Sequence, residues 1–424
     1  MSHSPPDTER EVSRTRLARR AIRQFNYRTN LELSRVRVAL LVAPSSFESF
    51  YSGHLGLDRR SYVEEYRNDF VWVYTEGLRA NGVDVVAYIP SHEEAGREQA
   101  ADGFSVRFLP LARPWRVLES GIRLARTPVE RYALEAAQAR SLLPELRHAL
   151  DADEIDVLYV QEYWTGRFDV LASASPVPVV AGEHGGSGGL HVHLFKRRAL
   201  ARAAGITVQS TAEQRRLARY GRTAELITNS TDVGFFTPDP DSERPPRVLT
   251  VARLVDAQKR VSDLIAAVAR LPGHWGLDIV GRGPDEEELR SAAARAGLGE
   301  RVRFHGFVGS REELRDRYRS AGVFALPSEW EAVTLALLEA MACGTPPVVT
   351  PLRPFRDVID DGVNGLLVPH RSPERLAEAI AAAYDDRRRI GDAARRTIEQ
   401  GYDRDTTMAR LAALIHAAAP RGRS

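Results

Sequence analysis

The stretch from Pro327 to Val349, PSEWEAVTLALLEAMACGTPPVV, leaves little freedom to the chain around it. Just before it, Val323 to Leu326 reads as a strand, closed by Pro327. A short polar turn follows, Ser328-Glu329-Trp330-Glu331, and then a helix with Leu335, Leu338 and Ala342 on its apolar stripe. Gly344, Thr345 and Pro346 stop the helix, and residues 347–350 read as the next strand. This is one β-loop-α-β unit. Glu331 lies in its loop and Glu339 two helical turns later. Open α/β sheets bind ligands at the C-terminal ends of their strands, where Glu331 falls. Glu339 leans back over the first helical turn. Between the two lie the free N–H groups of the helix start, around Val333, Thr334 and Leu335, which suit a phosphate. An anion site flanked by two hydroxyl acceptors describes a nucleotide sugar. Two glutamates alone are also what a solvated amphipathic helix carries.

The same alternation of strand and helix runs along the chain. Residues 36–43, 83–88, 106–110, 155–160, 177–181 and 205–210 read as strands. Residues 70–80 read as a helix stopped by Asn81-Gly82, and residues 116–150 as one long helical region. Ser210 and Glu213 have the capping-box spacing. Strands resume at 247–252, 277–280 and 302–308. Strands separated by helices imply parallel sheets covered on both faces. At 424 residues, two domains are expected. PDPDSERPP, rich in proline and charge, is the clearest linker. The division is a basic extension over 1–34, a first domain over 35–236, a linker over 237–246, a second domain over 247–400 and a final helix within 401–424.

Several function classes are disfavoured. A net charge of +2 argues against a dedicated nucleic-acid binder. No apolar run approaches the length of a membrane span, and the arginine-rich start is unlike a secretory signal. The single cysteine, Cys343, permits no internal disulfide and fits a reducing cytoplasm. No G-x-G-x-x-G follows the first strand, which weakens a dinucleotide dehydrogenase reading. Residues 1–35 carry eight arginines against four acids. They read as a membrane-surface anchor on the inner face of the membrane, as a partly disordered extension, or as a helix packing on the first domain, the thin apolar face weighing against the anchor.

Three further segments carry candidate chemistry. Arg253 and Lys259 flank a loop between a strand and a helix, where two cations neutralise a diphosphate. Lys259 is one of only two lysines in the chain, Lys196 being the other. Gly281-Arg282-Gly283-Pro284 is a tight turn after a strand. Gly182 to Gly189 follows a strand, and its glycines admit a ligand to the backbone beside His184. His191 and His193 lack a nearby carboxylate cluster, which makes a metal site a weak reading. His305 reads as a packing or surface residue at least as readily as a catalytic one.

Together these motifs resemble the E-x7-E family of GT-B glycosyltransferases, the retaining glycosyltransferase family 4. The likeness covers residues 36–418 and is strongest over 248–369. It includes N-S-T-D at 229–232, R-L-…-K at 253–259, V-G-R-G-P at 280–284 and D-G-V-N-G-L-L-V at 361–368. The resemblance implies two Rossmann-like parallel-sheet domains facing across a cleft, with the final helix crossing back to the first. It implies transfer of a sugar from a nucleoside-diphosphate sugar, the donor substrate, to an acceptor hydroxyl, with no bound cofactor or metal. Arg253 and Lys259 would hold the diphosphate, Glu331 the sugar hydroxyls, and Glu339 the ribose. The amides of Val333, Thr334 and Leu335 and the Gly283 turn would border the donor, and His184 would sit beside the sugar. The N-T-D pattern departs from the family's Asn-Gly by Ser230, and Arg353-Pro354 stands where a glycine pair is usual. Three other readings stay open: a sugar-phosphate synthase, an epimerase of the same fold, and a nucleotide-sugar-binding relative without turnover. Cell-envelope polysaccharide or glycolipid synthesis is the expected setting, with the acceptor unspecified.

Overall fold

The computed structural model describes residues 36–42, 46–93, 95–183 and 193–420. The basic extension and His184 therefore lie outside the described residues. Two sheets organise the rest. The first has strands β1 (Arg37–Leu41), β2 (Asp84–Ser91), β3 (Gly96–Gln99), β4 (Ser105–Pro110), β5 (Val157–Gln161), β6 (Val179–Gly182), β7 (Gly205–Val208) and β8 (Glu225–Leu226). Their spatial order is β3-β4-β2-β1-β5-β6-β7-β8, parallel except for β3. The second has β9 (Arg247–Val251), β10 (Gly276–Val280), β11 (Val302–Gly306), β12 (Val323–Leu326), β13 (Pro347–Val349) and β14 (Leu366–Leu367). Its order is β11-β10-β9-β12-β13-β14, all parallel.

The strands are apolar on both faces because each sheet is covered on both. Val38 and Leu40 of β1 enter one core, while Ala39 and Leu41 enter the other. In the second sheet Val248 and Leu249 of β9 divide in the same way. Each sheet thus anchors a two-sided α/β domain, and the two domains form the GT-B architecture across a cleft.

Two strands of chain cross between the domains, and they pair. Thr231 bridges Asp403 in parallel register. The Thr231 N–H donates to the Tyr402 carbonyl (3.0 Å), and the Arg404 N–H donates to the Thr231 carbonyl (2.9 Å). The last helix, Arg404–Ala418, then buries Met408, Leu411 and Ile415 in the first domain's core. Gly77 makes room for it, since a Cβ there would stand 2.2 Å from Met408 Cγ. No described helix is long and apolar enough to cross a membrane.

Four local expectations need correction. Residues 116–150 are two helices, Pro114–Leu124 and Pro128–Ala152. Thr127, Pro128 and Glu130 build a capping box that starts the second afresh. Residues 256–259 form a helical turn rather than open loop. Ser210 caps its helix through the Glu213 N–H, but the Glu213 carboxylate accepts from Trp164 Nε1 (2.8 Å) and so does not complete the box. In the 361–368 turn, where the Asn364-Gly365 pair is the sequence's signal for a positive-φ turn, the positive φ falls instead on Gly362 (+77°). Asn364 instead holds the turn by side-chain bonds to the Asp360 N–H, the Val358 carbonyl and Thr397.

Candidate active site

In a parallel sheet the crevice opens where consecutive strands turn to opposite sides. In the second domain that point lies between β9 and β12, because β10 and β11 extend one way and β13 and β14 the other. The loops leaving β9 and β12 carry Arg253 with Lys259, and Glu331, respectively. The structure brings two of these three into contact. Lys259 Nζ donates to Glu331 Oε1, and the pair is nearly enclosed, with side chains 13% and 6% exposed. The backbones are tied as well. The Glu329 N–H donates to the Gln258 carbonyl (2.8 Å), and Gln258 Nε2 donates to the Trp330 carbonyl (3.2 Å). Glu329 itself is held below the usual carboxylate range by its bond from Arg371 (2.6 Å).

Lys259 is placed by its own short helical turn. Asp256 accepts from the Ser262 N–H and hydroxyl, and Arg260 takes a left-handed conformation (φ +53°) before the helix Val261–Arg270 begins. Arg253 differs. It is exposed and has no side-chain bond or ion pair among the described residues. It offers its full guanidinium fork to an anion.

The Gly281–Gly283 turn lies against this loop. The Leu254 N–H donates to the Arg282 carbonyl (2.9 Å), and the Asp285 N–H returns to the Leu254 carbonyl (3.2 Å). A Cβ on Gly283 would sit 2.2 Å from the Leu254 carbonyl oxygen, and one on Gly281 1.9 Å from that of Ala252. Close approach of two backbones is thus sufficient reason for both glycines. Arg282, between them, was not singled out from the sequence. It is exposed, without an ion pair among the described residues, and its Nη1 would lie 3.5 Å from a Cβ on Gly56 of the first domain. A cation between two turn glycines was the signal available.

Helix Leu335–Ala342 begins two residues after Val333, the first of the amides expected from sequence. Thr334 is its N-cap, and Thr334 Oγ1 accepts from the Leu337 N–H (3.3 Å). The first-turn amides left for an anion are those of Leu335 and Ala336, not Val333. Val333 is fully buried, and its carbonyl accepts from Asn229 Nδ2 (2.7 Å), a contact from the crossing segment that the sequence did not reveal.

Glu339 sits one turn below Leu335 and is 8% exposed. Its Oε2 accepts from the Tyr318 hydroxyl (3.0 Å). Burial pushes its carboxyl up to about 7. It lines a small interdomain cavity with Leu335, Asp69, Thr231, Asp232 and Arg311. The two glutamates therefore occupy different settings: Glu331 is charge-paired and Glu339 is buried without an ion pair among the described residues. His305 has a polar partner, its Nε2 lying 2.7 Å from Asp278, which also pairs with Arg247. Among the described residues no group of three or more His, Cys, Asp or Glu is placed to hold a metal ion.

Comparison with known proteins agrees with this geometry. Residues 236–404 match the family described as Glycosyl transferases group 1, and residues 68–229 match a Glycosyl transferase 4-like domain. The chain is 37% identical over 188 residues to the phosphatidyl-myo-inositol mannosyltransferase of Mycobacterium leprae, covering 42% of this chain and 48% of that protein. It is 36% identical over 140 residues to a lipopolysaccharide core biosynthesis mannosyltransferase of Rhizobium meliloti, covering 31% of this chain and 39% of that protein. The chain thus spans less than half the length of these two relatives. The sucrose-phosphate synthase of Thermosynechococcus elongatus superposes with a TM-score of 0.69 at 20% identity, over 90% of this chain and 98% of that one. At that identity the likeness shows the fold alone. The second domain thus matches the glycosyl transferases group 1 and the first a glycosyl transferase 4-like domain, the two being joined in a GT-B fold.

Proposed function

We propose that this protein moves a sugar from a nucleoside-diphosphate sugar to an acceptor hydroxyl, with retention of anomeric configuration. The observation that carries the reading is the meeting of Lys259 and Glu331 at the crevice between β9 and β12, beside an unpartnered Arg253. Lys259 and Arg253 neutralise the diphosphate, most strongly as the bond from the anomeric carbon to the phosphate oxygen breaks. The first-turn amides of Leu335 and Ala336 face the same anion. Glu331 orients the sugar's hydroxyls and Glu339 accepts from the ribose. The acceptor oxygen bonds the anomeric carbon on the face the diphosphate leaves, and a departing phosphate oxygen takes the acceptor's proton. No protein nucleophile is required in this scheme. His184, which lies outside the described residues, is assigned to the acceptor side by its place in the sequence just after β6. One relative is named for phosphatidyl-myo-inositol and another for lipopolysaccharide core, which favours a cell-envelope glycan or glycolipid as acceptor.

The test is diphosphate release from a panel of UDP-, GDP- and ADP-sugars, with Glu331→Ala alongside. Release from one donor, lost in the variant, is the expected result. Tight nucleotide binding with no release from any donor, with or without candidate acceptors, would identify a binding protein instead. No binding at all would remove the donor site.

A further inference from the structure

Six large apolar side chains stand exposed among the described residues, and three of them share one feature. Val117 is 74% exposed, Leu124 78% and Val129 59%. They lie on the hairpin formed by helices Pro114–Leu124 and Pro128–Ala152, which pack where Gly121 meets Leu134. Positions 113, 117, 120 and 124 follow helical spacing and form one stripe on the first of these helices. The opposite stripe holds Trp115, fully buried, with Leu118 and Ile122 half-buried. The helix is therefore apolar toward the core, and toward solvent it carries two large apolar side chains, Val117 and Leu124, between Arg113 and Ser120. Leu124 and Val129 flank the hairpin's tip.

The rim of this patch is cationic. Arg113, Arg116 and Arg126 are exposed and have no carboxylate partner among the described residues. Glu130, exposed beside Val129, accepts from the Arg126 and Thr127 N–H groups and is the one acid at the tip, against three arginines. Apolar side chains with this excess of unpaired arginines complement an anionic bilayer: the apolar side chains enter the boundary between headgroups and acyl chains, and the guanidinium groups meet phosphates. The hairpin also stands at the ligand-binding edge of the first sheet. It follows β4 directly, and Glu119 lies 3.7 Å from His92 Nε2. The His92 N–H in turn donates to Glu48, in the segment that follows β1 (2.9 Å). We infer that this hairpin is the surface on which the protein docks to an anionic lipid bilayer, with the acceptor-side edge of the first sheet turned toward the membrane.

Vesicle sedimentation tests this with the full chain. The probes are phosphatidylcholine vesicles with and without phosphatidylglycerol. Wild-type protein is expected to bind the anionic vesicles and to release at high salt. The double variant Val117→Asp/Leu124→Asp should bind about tenfold less or weaker still. Arg116→Gln and Arg126→Gln should each cost about fivefold. Thermal melting confirms that the variants fold, and donor hydrolysis in solution should match wild type, so the transfer reading stands or falls separately. Equal binding by the double variant, no binding by wild type, or loss of binding only on deleting residues 1–34 would overturn the proposal. So would a solution dimer that the same aspartates dissociate, because the face would then belong to a second copy.

Discussion

Lys196 in the first domain and Lys259 in the second are the chain's only lysines, and each meets one carboxylate in a largely enclosed pair. What remains on the nitrogen differs. Lys196 is 4% exposed and donates to the carbonyls of Tyr163 and Thr165 as well as to Asp169 Oδ1. An ammonium has three hydrogens, so Lys196 is saturated. It fastens helix His193–Arg202 to the segment that leaves β5 and has nothing left for a ligand. Lys259 has one partner, Glu331, among the described residues. Two of its hydrogens await an acceptor, and an exposed Arg253 stands on the same loop. A lysine paired with a carboxylate therefore builds a fastening in one domain and a poised anion site in the other. The difference is read from hydrogen-bond capacity, since both pairs are well enclosed.

The comparison breaks most directly at the fastening. Lys196→Met strands the Asp169 carboxylate and two carbonyls in the interior. Removing one partner of a buried pair costs about 3–5 kcal/mol. Urea unfolding should show a loss of that order, while turnover per folded molecule stays near wild type. An unchanged midpoint would mean that Lys196 is not structural. Lys259→Met also strands an enclosed carboxylate, that of Glu331, so melting should fall here too. The distinguishing effect is on turnover per folded molecule, which should fall about 10²- to 10³-fold, as when one preorganised donor to a developing charge is removed. Arg253→Ala should fall by about tenfold or more, since its exposed charge is partly screened. Near-wild-type turnover in either would take that residue out of the diphosphate contacts.

Much of the second domain's site was legible because its chemistry is local in sequence. Arg253 and Lys259 are six positions apart on one loop, and Glu331 and Glu339 sit on one loop-helix junction. The contact between Lys259 and Glu331 was not legible. It depends on β9 lying beside β12, which is set by strand order across the whole sheet. The bond from Asn229 to Val333 depends in the same way on how the crossing segment returns. Strand β3 was missed for a different reason: GREQ has no apolar alternation, because an antiparallel edge strand faces solvent on one side. The break at residues 125–127 could have been read from T-P-V-E, which carries its own helix-start signal. The hairpin's apolar outer stripe was invisible for the opposite reason, since an apolar residue in a sequence looks the same facing in or out.

Glu339 sharpens the comparison, being a buried carboxylate that has no lysine. Asp169 and Glu331 each have a cation, whereas Glu339 has the Tyr318 hydroxyl and no ion pair among the described residues. Burial lifts its pKa from 4.5 to about 7. A raised folded-state pKa means the neutral form is favoured in the native protein. Its contribution to stability is complete below the unfolded pKa and is lost as pH rises through about 7, at most about 3 kcal/mol. Glu339→Gln keeps an oxygen for Tyr318 and removes the ionisation. Melting temperature should therefore fall less in the variant than in wild type between about pH 5 and about pH 8. Donor binding should move the other way. A carboxylate accepts ribose hydroxyls more strongly than a neutral acid, so the wild-type KM for donor should decrease as pH rises through about 7. The glutamine variant should lose that dependence. If the variant kept both profiles, Glu339 would not be the group that titrates. If it flattened the melting profile alone, the carboxyl would be a buried structural acid that the ribose does not reach.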